Sequence, residues 1–537
     1  MGKNLERLPH FTRALIKSHL LSCGWTYDDL GKPIIAIVNS WNEFNHGHIP
    51  QRQIADRVKE GVLAAGGLPL EFNTIGPCDG LAQGYEAMDY ILPSREIIAD
   101  SIEIMLRSQA IVDGLVLISS CDKITPAMLM AALRLDIPCI HICSGTCIPA
   151  IPFSESKQLR KDFINGKISE REMAERNAAL YPHPGVCPYM GTANTMDIFA
   201  EVLGLAISGS STIPAATNDR MRCAQETGQL AVALVVSSRK PSDIISAKSF
   251  QNALTVLASL SGSLNQLLHV PVIARQIGVQ IDFDIIGAIN SRTPQLCTIN
   301  PSGPHSIADL NRAGGVPAVV KELLPLLEPE CVNIEGKSIK DIALGAQNLD
   351  PTVIRSLKNP VSKQGGIAIL KGNIARHGAA LRLSTVPEGM MKFTGPAIVF
   401  NSEEQATEAV EANKIAEGSV VVVRYEGPIG GPGMREMHRL AGVFYGRRIA
   451  IVTDGRFSGA TGGLSIGYLS PEAAQSGEIA CVEDGDEITI DIERRSIELN
   501  LDTEIIKDRM RRLKPGKGRE GTRLLWNYAQ NVKSILN

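Results

Sequence analysis

Four short apolar runs within residues 33–143, each separated from the next by a helix-like stretch, limit this chain more than any other feature. PIIAIVNS (33–40) is β-branched and apolar, the pattern of a buried strand. QRQIADRVKEGVLAAGG (51–67) follows, with Ile54, Val58 and Val62 at helical spacing and Gly66-Gly67 as the stop. LPLEFNT (68–74) reads as a second strand. SREIIADSIEIMLRSQ (94–109) reads as an amphipathic helix with Ile98, Ile102 and Met105 on one face. DGLVLISS (113–120) is a third strand. TPAMLMAALRLD (125–136) is a helix with Thr125 as N-cap and Pro126 at its first position, and IPCIHIC (137–143) is a fourth strand. A βαβα succession predicts a parallel sheet with covering helices.

Ligands of open parallel sheets bind beyond the carboxyl ends of the strands. Here the first strand runs into NSWNEFNHGH (39–48), the second into IGPCDG (75–80) and the third into SSCDKITP (119–126). Two of these ends carry a Cys-Asp pair, Cys78-Asp79 and Cys121-Asp122. A further cysteine, Cys187, lies in HPGVCPYMGTANTM (183–196). Thiolates suit zinc or iron–sulfur centres and carboxylates suit Mg²⁺, so the alternation suggests two adjacent metal sites. Spacing alone also allows buried thiols and capping aspartates. In CIHICSGTC (139–147), Cys139, Cys143 and His141 share a face of a core strand, and His141 reads as a satisfied core histidine.

Residues 200–350 have a mostly helical texture. RSLKNPVSKQGGIAILKG (355–372) is rich in Pro, Gly and Lys and aperiodic, which marks a boundary between domains spanning 1–360 and 370–537. A chain of 537 residues has room for both, because single cores rarely grow past about 250–300 residues. Beyond the boundary, PAIVF (396–400), SVVVVRYEG (419–427), RRIAIVTDG (447–455) and DEITIDIERRSIELNL (486–501) predict a β-barrel-like second domain. Two glycine-rich loops punctuate it. YEGPIGGPGMREMH (425–438) ends in Glu436 and His438, and TDGRFSGATGG (453–463) brackets Ser458. Such loops permit close backbone approach to a ligand.

Composition excludes other classes. Net charge is -3, aromatics are 4% and no basic tract occurs, which argues against a nucleic-acid partner. No apolar run approaches the roughly 20 residues that span a bilayer. The start MGKNLERLPHF lacks a signal-peptide core, and Glu6 breaks the myristoylation pattern. A cytoplasmic protein is therefore expected. In a reducing compartment its 11 cysteines would be thiols or metal ligands.

In order along the chain, NSWNE, AAGGLPLEFNTI, LPSREIIADSIE, CDKITPAMLMAA, GTANTM, AGGVPAV, RYEGPIGGPGMREM, TDGRFSGATGGLSIGYLSPEAA and VEDGDEITIDI resemble the dihydroxy-acid dehydratase / 6-phosphogluconate dehydratase family. The resemblance runs from about residue 30 to about 500. It implies an α/β N-terminal domain carrying the metal ligands, a C-terminal β-barrel "swivelling" domain carrying catalytic loops, and a homodimer or dimer of dimers. It also implies dehydration of a 2,3-dihydroxy acid to a 2-keto acid with an Fe–S cluster and Mg²⁺. Cys121 and Cys187 match cluster ligands. Asp79, Asp122 and Glu436 match Mg²⁺ ligands. Lys123 falls where relatives carry a carbamylated lysine on that metal, and Ser458 matches the proposed base.

The chain departs from the pattern in three places. Gly47 stands where many relatives place a first cluster cysteine. Cys78, directly before Asp-Gly as in 6-phosphogluconate dehydratases, completes a Cys78, Cys121, Cys187 set. Three thiolates with an open iron favour [4Fe–4S], and [2Fe–2S] stays open. His46 and His48 are candidate metal or substrate residues beside the alternative of plain loop histidines. Pro188 and Tyr189 lie beside Cys187, and Tyr468 replaces a common histidine; both are positions that could reshape the substrate pocket. Overall texture points to a branched-chain substrate of the 2,3-dihydroxyisovalerate type. The cysteine layout points to sugar acids such as aldonates or phosphogluconate, although no Lys/Arg cluster marks a phosphate site. Gly47 also leaves a non-catalytic paralogue as a third reading.

Overall fold

The computed structural model describes residues 3–444, 447–458, 462–513 and 521–532. Its N-terminal α/β domain is built on a four-stranded sheet of β1 (Ile34–Asn39), β2 (Leu68–Asn73), β3 (Gly114–Ser119) and β4 (Cys139–Cys143). All pairings are parallel and the order is β2-β1-β3-β4. β1, β3 and β4 are buried along their whole length, as their unbroken apolar runs require. Because β2 and β3 flank β1 on opposite sides, the chain changes direction across the sheet between β1 and β3. In open parallel sheets that is the place where ligands bind.

Two helix details differ from the expectation. The helix expected at 94–109 begins earlier, at Ile91, and ends at Gln109. Ile98 and Ile102 are buried on it, but Leu106 rather than Met105 completes the stripe, and Met105 is 40% exposed. The next helix, Ile124–Leu135, starts one residue before Thr125, with Lys123 at the cap position. Thr125 is not a cap, because its hydroxyl donates to the Asp197 carboxylate at 3.0 Å. The tertiary bond takes the group that local capping would have used.

The C-terminal half is a closed eight-stranded barrel: β5 (Ile367–Gly372), β6 (Ala375–Arg382), β7 (Lys392–Phe400), β8 (Val420–Val423), β9 (Ala450–Thr453), β10 (Leu464–Ser470), β11 (Glu487–Asp491) and β12 (Ser496–Leu499). β5 lies inside the stretch that reads as aperiodic. A strand of six residues behind a Gly-Gly pair is too short to show its period there.

β8 has apolar neighbours on both faces. Val420 and Val422 fill the barrel interior with Ala450, Val452 and Ile466. Val421 and Val423 point outward into an apolar cluster that includes Ala406, Leu440 and Ile451 and continues into the N-terminal core. Each fully buried valine is worth about 1.5–3 kcal/mol, so both faces of this strand stabilise the chain.

The barrel loops close onto the N-terminal domain. Gly433 has a φ of 98°, and a Cβ there would lie 1.9 Å from the Asp89 carbonyl oxygen, so only glycine allows the approach. Arg435 forms a buried ion pair with Asp89 at 3.2 Å, and Arg382 donates to the Gly262 carbonyl at 2.9 Å. Among the described residues no helix is long and apolar enough to cross a membrane.

Candidate functional site

The loops after β2 and β3 and the barrel loop before residue 438 meet at one place. Asp79, Asp122 and Glu436 are all buried, and one ligand oxygen from each lies within 4.8 Å of the others. Lys123, fully buried, pairs with Asp79 at 2.8 Å and with Asp122 at 2.9 Å. Arg456, also fully buried, pairs with Glu436 at 2.7 Å and reaches Asp79 at 3.6 Å. These cations offset part of the cost of burying three carboxylates. Burial and the neighbouring Asp122 push the Asp79 carboxyl up. Burial also acts against ionised Asp122, but Lys123 and Arg456 hold its carboxyl below the usual range.

Two oxygens are left over. Asp79 Oδ1 and Glu436 Oε1 are buried and accept no hydrogen bond. Unpaired buried acceptors are costly, and in a cluster of carboxylates they are the donors a hard cation would use. The residues present thus fit Mg²⁺.

Asp122 is fixed from behind. Asn265 Nδ2 donates to its Oδ2 at 2.9 Å, and His269 Nε2 lies 3.1 Å from its Oδ1. Arg95 Nη1 lies 3.2 Å from His269 Nδ1 and can only donate, so Nδ1 accepts and Nε2 carries the proton given to Asp122. Burial and the charges of Lys123, Arg95 and Arg456 keep His269 neutral. Such outer partners commonly orient metal-ligating carboxylates. Arg95, Arg456, Asn265 and His269 have no place among the residues singled out from the sequence. Arg456 stands in plain view inside TDGRFSG. Asn265 and His269 lie some 140 residues from Asp122 with no motif spacing to announce them.

The thiols lie on the other side of Asp79. Cys78 and Cys121 lie side by side; that contact raises the Cys78 thiol and, together with the neighbouring His48 ring, lowers Cys121 well below its usual range. Cys187 is close enough to feel the charge of Cys121. Burial, first of all, pushes it up to about 11. Asn45 Nδ2 donates to Cys121 Sγ at 3.4 Å, and the Tyr181 hydroxyl lies 4.0 Å from Cys187 Sγ. Cys121 has a φ of 85°, a left-handed conformation that non-glycine residues seldom adopt and that is enriched at active sites. Three half-buried thiols fit a soft-donor centre such as an Fe–S cluster. A Cβ on Gly47 would meet Val186 Cγ1 at 3.0 Å and Asn45 Oδ1 at 3.2 Å, so a cysteine there would crowd the loop that holds Cys187.

The two histidines differ. His46 is half-buried, with Nδ1 donating to the Gly185 carbonyl at 2.6 Å and its ring 4.6 Å from Tyr181. It ties the first loop to the Cys187 loop. His48 is fully buried, donates from Nδ1 to the Ser40 carbonyl at 2.6 Å, and turns its ring toward the Cys121 thiol. Tyr468, fully buried, donates to Asn265 Oδ1 at 2.6 Å. Ser458 is half-buried one residue past Phe457. The rest of its loop, 459–461, and the His438 side chain lie outside the described residues. Cys139, Cys143 and Cys147 stay apart from the site. They are buried core thiols, and His141 bonds Ser119 Oγ at 2.9 Å.

A parallel α/β domain and a closed barrel that share a buried, cation-ready carboxylate cluster beside three thiols define an enzyme with its chemistry at the domain junction. Residues 32–342 match the profile of the dihydroxy-acid/6-phosphogluconate dehydratase N-terminal region, and residues 352–537 match that of the C-terminal region. The chain belongs to this family of dehydratases. Relatives named dihydroxy-acid dehydratase include those of Caldicellulosiruptor bescii (45% identical), Caldanaerobacter subterraneus (46%) and Pyrococcus abyssi (45%). In each case the match covers 99% of this chain and 97% of the relative.

Proposed function

We propose that this chain converts a 2,3-dihydroxy carboxylate of the 2,3-dihydroxyisovalerate type to its 2-keto acid. Cys78, Cys121 and Cys187 would hold an Fe–S cluster, and Asp79, Asp122 and Glu436 would hold Mg²⁺. The observation that carries the reading is the pair of unpartnered buried oxygens, Asp79 Oδ1 and Glu436 Oε1, one residue away from the Cys78 thiol in the case of Asp79. When bound, an open iron supplies Lewis acidity toward the C3 hydroxyl, and Mg²⁺ stabilises charge on the carboxylate and C2 oxygen.

The chain's own residues supply the rest. Ser458, on the barrel loop that also carries Arg456, takes the C2 proton. The C3–O bond breaks, the proton taken by Ser458 as an alkoxide passes to the departing hydroxide to give water, and the enol tautomerises to the keto acid. Arg456 and Lys123 keep the carboxylates in register while the site excludes bulk water. As an ammonium, Lys123 bridges Asp79 and Asp122; as a carbamate it would add an oxygen donor. The names of the relatives favour a dihydroxy acid over a sugar acid. All 11 cysteines are free, which favours a reducing compartment such as the cytoplasm. A homodimer or dimer of dimers follows from the family resemblance.

The test is anaerobic purification with iron and sulfide assays, followed by keto-acid assays on 2,3-dihydroxyisovalerate and a panel of aldonates. Bound iron and sulfide with turnover of the branched-chain acid are expected. A colourless, iron-free and inactive protein under strict anaerobiosis would refute the proposal, and turnover of aldonates alone would overturn the substrate.

A further inference from the structure

Tyr468 occupies an unusual place. It lies in β10 where the pairing with β6 shifts register between Gly467 and Ser470, and its φ is 60°. A left-handed backbone is a rare conformation for a bulky aromatic residue and persists only where its surroundings hold it. Here the backbone N–H donates to the Gly455 carbonyl at 2.8 Å, and the ring is fully buried. The twist carries the phenol out of the barrel and across to the N-terminal domain.

There the hydroxyl meets two acceptors. It donates to Asn265 Oδ1 at 2.6 Å, and the Phe457 carbonyl oxygen lies 3.2 Å away. Phe457 immediately precedes Ser458. Asn265 in turn gives its two amide protons to Asp122 Oδ2 at 2.9 Å and Thr192 Oγ1 at 3.1 Å. The amide has one sensible orientation, because turning it over would set its oxygen against the Asp122 carboxylate and its nitrogen against the phenol proton. One hydroxyl therefore touches both the backbone that presents Ser458 and the amide that orients Asp122.

We infer that Tyr468 is a positioning residue that fixes the Asp122 carboxylate relative to the Ser458 loop across the domain junction. It is neither a metal ligand nor a substrate contact in this role, and it acts through Asn265. The inference rests on the proposed metal reading of Asp122.

Tyr468→Phe, Tyr468→His and Asn265→Ala, together with a double variant carrying both Tyr468→Phe and Asn265→Ala, would be prepared anaerobically with the iron centre loaded. Iron and sulfide content, Mn²⁺ affinity by EPR titration in place of Mg²⁺, and kcat and KM would be measured for each. Tyr468→Phe is expected to keep its iron and its KM. It should weaken Mn²⁺ binding and lower kcat by about 10–100-fold, the usual effect of losing an outer partner of a metal ligand. Asn265→Ala should do the same, and the double variant should be no worse than Asn265→Ala alone, since both changes break one chain of bonds. Tyr468→His should recover part of the loss, because an imidazole N–H can donate to Asn265. Unchanged Mn²⁺ affinity and kcat in Tyr468→Phe, or additive losses in the double variant, would overturn the inference. Should Tyr468→Phe not fold, the same reading comes from Tyr468→His and Asn265→Ala. If the unaltered protein itself binds no Mn²⁺, the metal reading of Asp122 fails, and this inference fails with it.

Discussion

The carboxylate cluster and the thiol cluster adjoin at Cys78-Asp79, yet they are held in opposite ways. The carboxylates are set among full charges. Lys123 and Arg456 pair with them, and Asn265 and His269 grip Asp122 from behind. The thiols are held by neutral groups, the Asn45 amide and the Tyr181 hydroxyl. The carboxylate cluster also draws Glu436 and Arg456 from the barrel, whereas every thiol comes from the N-terminal domain. A hard-ion site needs charge and can be assembled across a junction; a soft-donor site needs three sulfurs at fixed spacing and is kept on one rigid sheet end. The two should therefore fail independently.

The sharpest separation comes from Cys121→Ser. Iron content should fall by more than about tenfold while Mn²⁺ affinity, read by EPR, changes little, since the carboxylates keep all their partners. Joint loss of both would mean that the clusters form one cooperative unit. Glu436→Gln is the converse. It should keep the iron but lower kcat/KM by about a hundredfold or more, the equivalent of about 2.7 kcal/mol or more of charge stabilisation. Iron loss in that variant would show that the barrel also supports the thiols.

Cys78→Ser tests the third ligand and should abolish cluster retention; normal iron content would remove Cys78 from the set. Adding Gly47→Cys to that variant should not restore the iron. It should instead destabilise the fold by about 1–3 kcal/mol in chemical denaturation, the cost of overpacking against Val186 and Asn45.

The smallest effect concerns Glu472, which accepts from Gly430 N at 2.9 Å and so braces the glycine loop leading to Glu436. Burial, reinforced by Asp454, pushes its carboxyl up to about 8. Between the ordinary carboxylate value and pH 8 the folded chain holds a proton that the unfolded chain has released, so stability is lost as pH rises through that window. Glu472→Gln keeps the acceptor and removes the titration. The decline in stability between about pH 5 and 8 should become shallower, as read from denaturation midpoints at both ends.

The sequence shows these two clusters unevenly. β1, β3 and β8 are legible because a strand buried on both faces must be apolar throughout. β5 is not, being short and set behind Gly365-Gly366, and neither is β10, whose glycine and serines break its pattern; closure of the barrel, a non-local event, decides the state of both. Asp79, Asp122 and Glu436 stand in recognisable stretches, and the structure brings them together. Lys123 reads as a metal-side lysine, and its salt bridges to both aspartates are a property of the fold. Arg456, Asn265 and His269 escape notice because their meaning lies in what they face. An arginine in a glycine loop or a histidine inside a helix is ordinary until a carboxylate is placed within 3.1 Å of it.

β8 carries a consequence for exchange between relatives. Val420 and Val422 answer to the barrel, and Val421 and Val423 to the core outside it. A recombinant that grafts another member's barrel onto this N-terminal half inherits both sets of demands from four consecutive residues. Crossover points that keep β8 together with the helix Glu403–Glu411 packed on its outer face should yield viable hybrids more often than a cut placed between them.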